Sequence, residues 1–362
     1  MTPYERHQVI IHGQEPDRIA VNFATGLRKG PTNGMVRRLQ KRGMGIMHIV
    51  PAYKPTFFYD MIVNPMLPEI VYKATTFKEQ GVWKIKHELQ TPIGTVDSIA
   101  GVNPGIELAT NSPMTHFIKK KEDWKVINYL FKSMCENMVP NYEEMASDQA
   151  DLGETGITIA FVDKTPFQRA WIELATLEDA VFGFFDMTEE VEEYLEIQTQ
   201  FHKKAAEITA ECPSQHIHII DNITNTISPD MYRQYCMPFY EMYSNAMQGT
   251  NKVLAVHHDG LISHLCAEIA EASFNIIDSF TVPPVGDVSL KEAKSKWPDK
   301  ILCINLPPHL ITNDIKLIRR EYEKIIDTWG SKKLIIEHVE DLPEEILPLH
   351  LDAALDVCGY PS

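Results

Sequence analysis

The apolar run Val253–Val256 ends abruptly in His257, His258, Asp259 and Gly260, the densest polar cluster of the chain. Alternate residues of a strand share a face, so His257 and Asp259 are expected to point into one space while His258 points away. An imidazole beside a carboxylate suits two kinds of chemistry. It can move protons as an acid/base pair, or it can hold Zn²⁺, which takes nitrogen and oxygen ligands at about 2.0–2.2 Å. A third use is purely local, a His–Asp couple that fixes loop geometry. The last apolar run ends in a similar way: His338 and Glu340 share one face, and Glu337 shares the other with Val339. The expected metal ligands are therefore His257, Asp259, His338 and Glu340. Asp221-Asn222, just ahead of a helix start at Ser228-Pro229, forms a second polar knot that either orients a ligand or satisfies loop backbone. Together with His257 and Asp259 these two make up the expected catalytic set. His258, His48, Asn22, Trp171 and Tyr53 are the expected substrate contacts, and Phe57, Phe58, Tyr59 and Met61 add a candidate apolar wall. His216 and His218 lie inside an apolar run and read as core residues.

These residues need a scaffold that gathers strand ends. The short β-rich runs are Ile19–Phe23, Ile46–Val50, Ile157–Val162, His216–Ile220, Val253–Val256, Phe274–Ile277, Ile301–Ile304 and Leu334–Ile336. Most are separated by a helical pattern, with helix starts at Thr188, Ser228 and Asn313-Asp314. Strands alternating with helices in this number predict an α/β (β/α)8 barrel, whose chemistry gathers at the C-terminal ends of the strands. An open doubly wound sheet is the competing arrangement. Asn22, His48, Asp163, Asp221, His257, Asp278, Asn305 and Glu337 all fall at or near such ends. Residues 70–100 break the alternation. Two runs flank Gln80-Gly81, and Gly94-Thr95-Val96 follows, predicting an antiparallel insertion after the second strand and near the barrel mouth. The whole chain, 1–362, is expected to form one barrel domain.

Composition narrows the partners. Lys and Arg number 34 against 50 Asp and Glu, a formal charge of −16 that opposes non-specific nucleic-acid binding. No apolar run reaches the roughly 18 residues that would span a bilayer, and MTPYERHQ lacks a signal core. The six cysteines contain no C-x-x-C pair, which suits reduced thiols in the cytoplasm. Neither a Walker A motif nor G-x-G-x-x-G nor G-x-S-x-G occurs.

Three stretches carry a family resemblance: T-x-x-E-R with P-D-R-I-A-V (Thr2 to Val21), N-I-T-N-T-I-S-P-D-M-Y-x-x-Y-x-x-P-F-Y (Asn222 to Tyr240), and V-H-H-D-G (Val256 to Gly260). In order and spacing the chain resembles the uroporphyrinogen decarboxylase superfamily. The resemblance implies a (β/α)8 barrel and one of two activities. Decarboxylases of the family grip propionates with an Arg-rich loop after the first strand, where this chain reads Phe23-Ala24-Thr25-Gly26-Leu27-Arg28-Lys29. The other branch consists of corrinoid-dependent methyltransferases, zinc barrels that work with a separate corrinoid protein and carry H-x-C after one strand and a Cys after the last. Here the first pattern reads His257-x-Asp259, and no cysteine stands near Val339-Glu340. The resemblance therefore implies a methyltransferase component of a cobamide-dependent demethylation system, with an aryl methyl ether as the expected donor. Its cofactor would be corrinoid (cobalamin) on the partner protein, with either Zn at an N/O site or a metal-free acid/base site, and the family leans to homodimers; a non-catalytic barrel that binds a methylated compound or corrinoid is the other alternative.

Overall fold

The computed structural model describes residues 1–25, 34–58, 61–63, 67, 69–101, 112–307, 309–338, 342–343 and 345–361. Eight parallel strands close into a barrel: Ala20–Ala24, Gly45–Pro51, Gly156–Val162, His216–Ile223, Val253–His258, Ile276–Phe280, Ile301–Asn305 and Leu334–His338. All eight coincide with the β-rich runs of the sequence, mostly extended toward the C-terminal end. The barrel closes where Ala20–Phe23 pair with Ile335–His338. This is a TIM barrel.

Apolar side chains show which residues of each strand face inward. Ile217, Ile219, Leu254, Val256, Leu302, Ile304, Leu334 and Ile336 join one large cluster with the surrounding helices. Val253, Ala255, Ile276, Ile301, Cys303 and Ile335 instead cluster with Ile10 and Ile11 of the N-terminal helix Pro3–Ile11. The first set lies between barrel and helices; the second fills the barrel. Thr2 and Glu5 start the N-terminal helix with a reciprocal capping box, each satisfying an amide that the helix leaves free. The helix then seals the barrel floor, where His7 Nε2 lies 3.0 Å from His216 Nδ1.

Other punctuation also acts as its residues suggest. The Ser228 hydroxyl accepts from the Met231 amide at the start of helix Pro229–Tyr235. The Asp314 carboxylate accepts from the Lys316 and Leu317 amides at the start of helix Ile315–Trp329. After His258 the chain makes one 3₁₀ turn before helix Cys266–Glu271; Leu265 and Ile269 are buried, while Leu261 is exposed.

The insertion is larger than expected, a four-stranded antiparallel sheet of Val71–Glu79, Val82–Thr91, Gly94–Gly101 and Ser112–Thr115. Its first turn has φ of 49° at Gln80 and 84° at Gly81. Two successive positive φ values match the type I′ turn, whose twist suits a tight hairpin. The sheet packs against helix Asp123–Glu136, where Gly94 sits close to Val126. No helix of the described residues is long and apolar enough to cross a membrane.

Candidate active site

Three neighbouring strands and the last one send polar groups into the upper barrel. His218, His257, Asp278 and Glu337 all stand on the inward parity and are all buried. Asp278 Oδ2 lies 3.0 Å from His218 Nε2 and 3.3 Å from His257 Nδ1. Asp259, just past the strand with its side chain 30% exposed, approaches His257 Nε2 to 3.7 Å. Ser279 donates its hydroxyl to Asp278 Oδ2 at 3.0 Å, and its amide donates to Glu337 Oε1 at 3.2 Å. Donor atoms of Asp278, Cys303 and Glu337 also lie within 4.8 Å of one another, so Asp278 is shared by two groups.

Local backbone irregularity helps shape this cluster. Ser279 has φ 56°, and the pairing of the sixth and seventh strands shifts register between Ile277 and Phe280. Asn222 has φ 48°, beside a register shift between Ile219 and Ile223. Bulges of this kind re-aim side chains, and a positive φ in a residue other than glycine is uncommon.

The electrostatics separate the groups. Burial alone would lower the His257 imidazole, but the flanking carboxylates Asp259 and Asp278 override that and hold its pKa up at about 10. Burial would raise Asp278, yet His218 and His257 keep it well below the usual carboxylate range. Glu337 is pushed well up, first by burial and then by the neighbouring Asp278 charge. Two carboxylates so close do not readily both ionise, and of the pair Glu337 is the one on which a proton is favoured. The cluster thus combines an anion, a cationic imidazole and a neutral acid, a set suited to stabilising charge that builds on a substrate atom.

The uroporphyrinogen decarboxylase (URO-D) family profile matches residues 175–358, just over half of the 362-residue chain. The chain belongs to the uroporphyrinogen decarboxylase family. Among solved structures, a methyltransferase from Methanosarcina mazei is 13% identical, with a TM-score of 0.58, covering 99% of this chain and 98% of its own. A B12-independent methionine synthase from Shewanella is 10% identical at a TM-score of 0.45, covering 89% and 84%. At these identities the likeness concerns the fold. No curated protein matches the sequence.

Within this URO-D barrel the expected site residues separate by parity. His257 and Asp259 do share a space. His338 does not join them: it faces outward and stacks on Phe23, with ring centroids 4.7 Å apart and planes 7° from parallel. The inward residue of that strand end is Glu337, one position earlier. Glu340 lies outside the described residues, as do Tyr59 and the Arg28-bearing loop. His48 also faces outward, toward Asp148 of helix Tyr142–Leu152 at 3.3 Å. His258 packs among the helices, 2.9 Å from the Tyr232 hydroxyl and stacked on Phe274. Asn22 faces inward but points to the floor, with Nδ2 3.2 Å from His7 Nδ1. None of these four side chains meets the cluster.

The Asp221 side chain turns away from the cluster and bonds to a loop and a helix. It lies on the outward parity and accepts from the Thr165 amide at 2.7 Å, the Thr165 hydroxyl at 2.9 Å and the Tyr240 hydroxyl at 2.6 Å. Tyr53 and Phe57 are fully buried core residues, and Tyr53 donates to Asp163 Oδ2 at 2.6 Å. Asn222 and Trp171 remain near the strand ends, both half-buried. Trp171 Nε1 donates to Gln168 Oε1 at 2.8 Å, and Gln168 Nε2 donates to the Asp221 carbonyl at 2.7 Å.

Two groups went unrecognised in the sequence. His218, expected in the core, is instead the second imidazole beside Asp278. Its i+2 relation to His216 was a usable signal, since both then line the barrel. Lys164 is the other. Fully buried, it donates to the Ile220 carbonyl and to Asn222 Oδ1, the latter at 2.6 Å. Burial lowers its pKa to about 8. Between that value and the ordinary lysine value of about 10.4, the unfolded chain holds a proton that the folded chain has lost. Stability relative to Lys164→Met therefore rises by roughly 3 kcal/mol across that window. Denaturation of both proteins at pH 8 and pH 10 checks this, and a pH-independent difference contradicts it. His338→Phe supplies a control on the strand parity. It preserves the stack on Phe23, so activity should stay within about twofold, because mutations away from the reacting groups rarely reach it.

The thiolate zinc pattern of the methyltransferase branch finds no counterpart at His257-x-Asp259. Cys303, the thiol nearest the cluster, is fully buried beside Asp278 and Glu337.

Proposed function

We propose that this chain is a methyltransferase that takes a methyl group from a small O-methyl compound, an aryl methyl ether in our reading, and passes it to the reduced corrinoid of a separate protein. The observation that carries this reading is the convergence of His257, Asp278 and Glu337, with Asp259 beside them, at the C-terminal end of a URO-D family barrel. The full-length likeness to a barrel described as a Methanosarcina methyltransferase supports it.

The chemistry balances with no protein nucleophile. The carbon–oxygen bond breaks with its electron pair going to oxygen, the methyl group bonds to Co(I) of the corrinoid, and the oxygen takes a proton. The role of this chain is to hold the donor and to offset charge on the leaving oxygen. His257, cationic between two carboxylates, supplies positive potential; Glu337 holds a transferable proton. Asp259, partly exposed, is placed to contact the substrate. Asn222 and Trp171 flank the approach.

The test is direct. Purified protein is mixed with phenolic methyl ethers and free Co(I) corrinoid, and methylation is followed by the change in cobalt absorbance. Growth of the methylated corrinoid with release of the free phenol supports the reading. Turnover of a porphyrinogen without any corrinoid would replace it with a decarboxylase, which the family assignment favours as the second reading. In that case the same acid groups would protonate the carbanion left by CO₂.

A further inference from the structure

We propose that His218, His257 and Asp278 form a divalent-cation site of the zinc type, built from nitrogen and oxygen ligands only, inside the barrel. The three residues come from the fourth, fifth and sixth barrel strands, which are neighbours in the sheet. Their donor atoms lie within 4.8 Å of one another. The separations of 3.0 and 3.3 Å from Asp278 Oδ2 match the edge of a tetrahedron around a metal. For Zn²⁺ with bonds of about 2.0–2.1 Å that edge is about 3.3 Å.

Direction argues as strongly as distance. His218 Nε2 sits close to Asp278 Oδ2 but off the line that a hydrogen bond requires, and it has no hydrogen-bond partner. His257 Nε2 is also buried without one. Both imidazoles are 5% exposed. A buried polar atom left unsatisfied costs roughly 1–3 kcal/mol. A cation between the rings and the carboxylate removes that cost for His218, since the lone pairs then meet at one point instead of facing one another.

The surroundings fit the same assignment. When His257 gives up a proton and binds through Nδ1, the metal takes over the positive potential that the imidazolium supplies in the metal-free site, and the far nitrogen faces Asp259, the carboxylate–histidine–metal arrangement that sets tautomer and ring orientation. Ser279 donates to Asp278 Oδ2 and steadies the third ligand. Three protein ligands leave a fourth position open, as catalytic zinc sites do. Asp259 thereby becomes an orienting group, not a ligand, and the second ring comes from His218 instead of His338. The use of this cation to polarise a leaving oxygen rests on the methyl-transfer reading; the site itself does not.

The experiment uses the full chain, stripped with a chelator and titrated with Zn²⁺ by calorimetry, with bound metal counted by mass spectrometry. One Zn²⁺ per chain is expected. His218→Ala and Asp278→Ala should each weaken binding on the order of 100-fold, and Asp259→Asn by about 10–100-fold. His218→Gln, closer in size, guards against a folding defect and should lose affinity while keeping the circular dichroism of the barrel. X-ray absorption of the zinc form should show only nitrogen and oxygen neighbours. A sulfur neighbour at about 2.3 Å, undiminished binding in His218→Ala, or no bound Zn²⁺ in the parent protein would each overturn the proposal. Zinc binding without corrinoid methylation leaves the site standing and removes the methyl-transfer reading.

Discussion

Asp278→Asn lowers methyl transfer by on the order of 10²–10⁴-fold while leaving the fold intact. Among the described residues Asp278 is the carboxylate that reaches both imidazoles, and its neighbours His218 and His257 hold it as a firm anion. The amide keeps the volume and removes the charge. His257 then loses one of its two supporting carboxylates, and Glu337 loses the charged neighbour that helps to keep it protonated. In the methyl transfer we propose, every group meant to offset charge on the leaving oxygen is disturbed at once. Steady-state methylation of free Co(I) corrinoid, with a thermal melt as the folding control, measures the effect. Activity within tenfold of the parent would remove Asp278 from the mechanism.

Arg169→Met destabilises the protein by about 3–5 kcal/mol, as breaking a buried ion pair by deleting one partner does. Arg169 is fully buried, paired with Asp163 and 3.3 Å from Glu173, and its guanidinium lies 4.8 Å from the Phe131 ring centroid. Methionine fills the volume but leaves the Asp163 carboxylate without its cation. The consequence reaches the site because Arg169 immediately precedes the π-helical turn Ala170–Leu174, closed by the Ala175 amide on the Ala170 carbonyl at 2.8 Å. That turn carries Trp171, and Lys164 stands five residues before Arg169. Urea denaturation gives the free energy. A loss below about 1 kcal/mol would mean that aromatic packing, and not the ion pair, holds this segment.

The His257-x-Asp259 pair illustrates how far local spacing reaches. Two residues of one strand meet on the same side whatever the rest of the molecule does, so their approach was legible from their positions alone. The partner across the barrel was not. His338-x-Glu340 and Glu337-x-Val339 are equally good strand patterns, and preference went to the pair with the imidazole. The structure puts Glu337 inside and His338 outside. Similarly, His48 and Asp221 lie at or near the ends of apolar runs, yet both stand on the face turned to the helices.

The eight strands, the helices between them, the antiparallel insertion and the family were all determined by sequence, because β-rich runs, helix caps and the Gln80-Gly81 turn act over a few residues. Tertiary structure alone decided which parity of each strand faces the barrel axis. In a parallel barrel both faces of a strand are buried, one against the helices and one against the other strands. Hydrophobic alternation, the usual marker of inside and outside, is therefore erased. Only closure of the sheet, and the register shifts beside Asn222 and Ser279, bring His218, His257, Asp278 and Glu337 to one point.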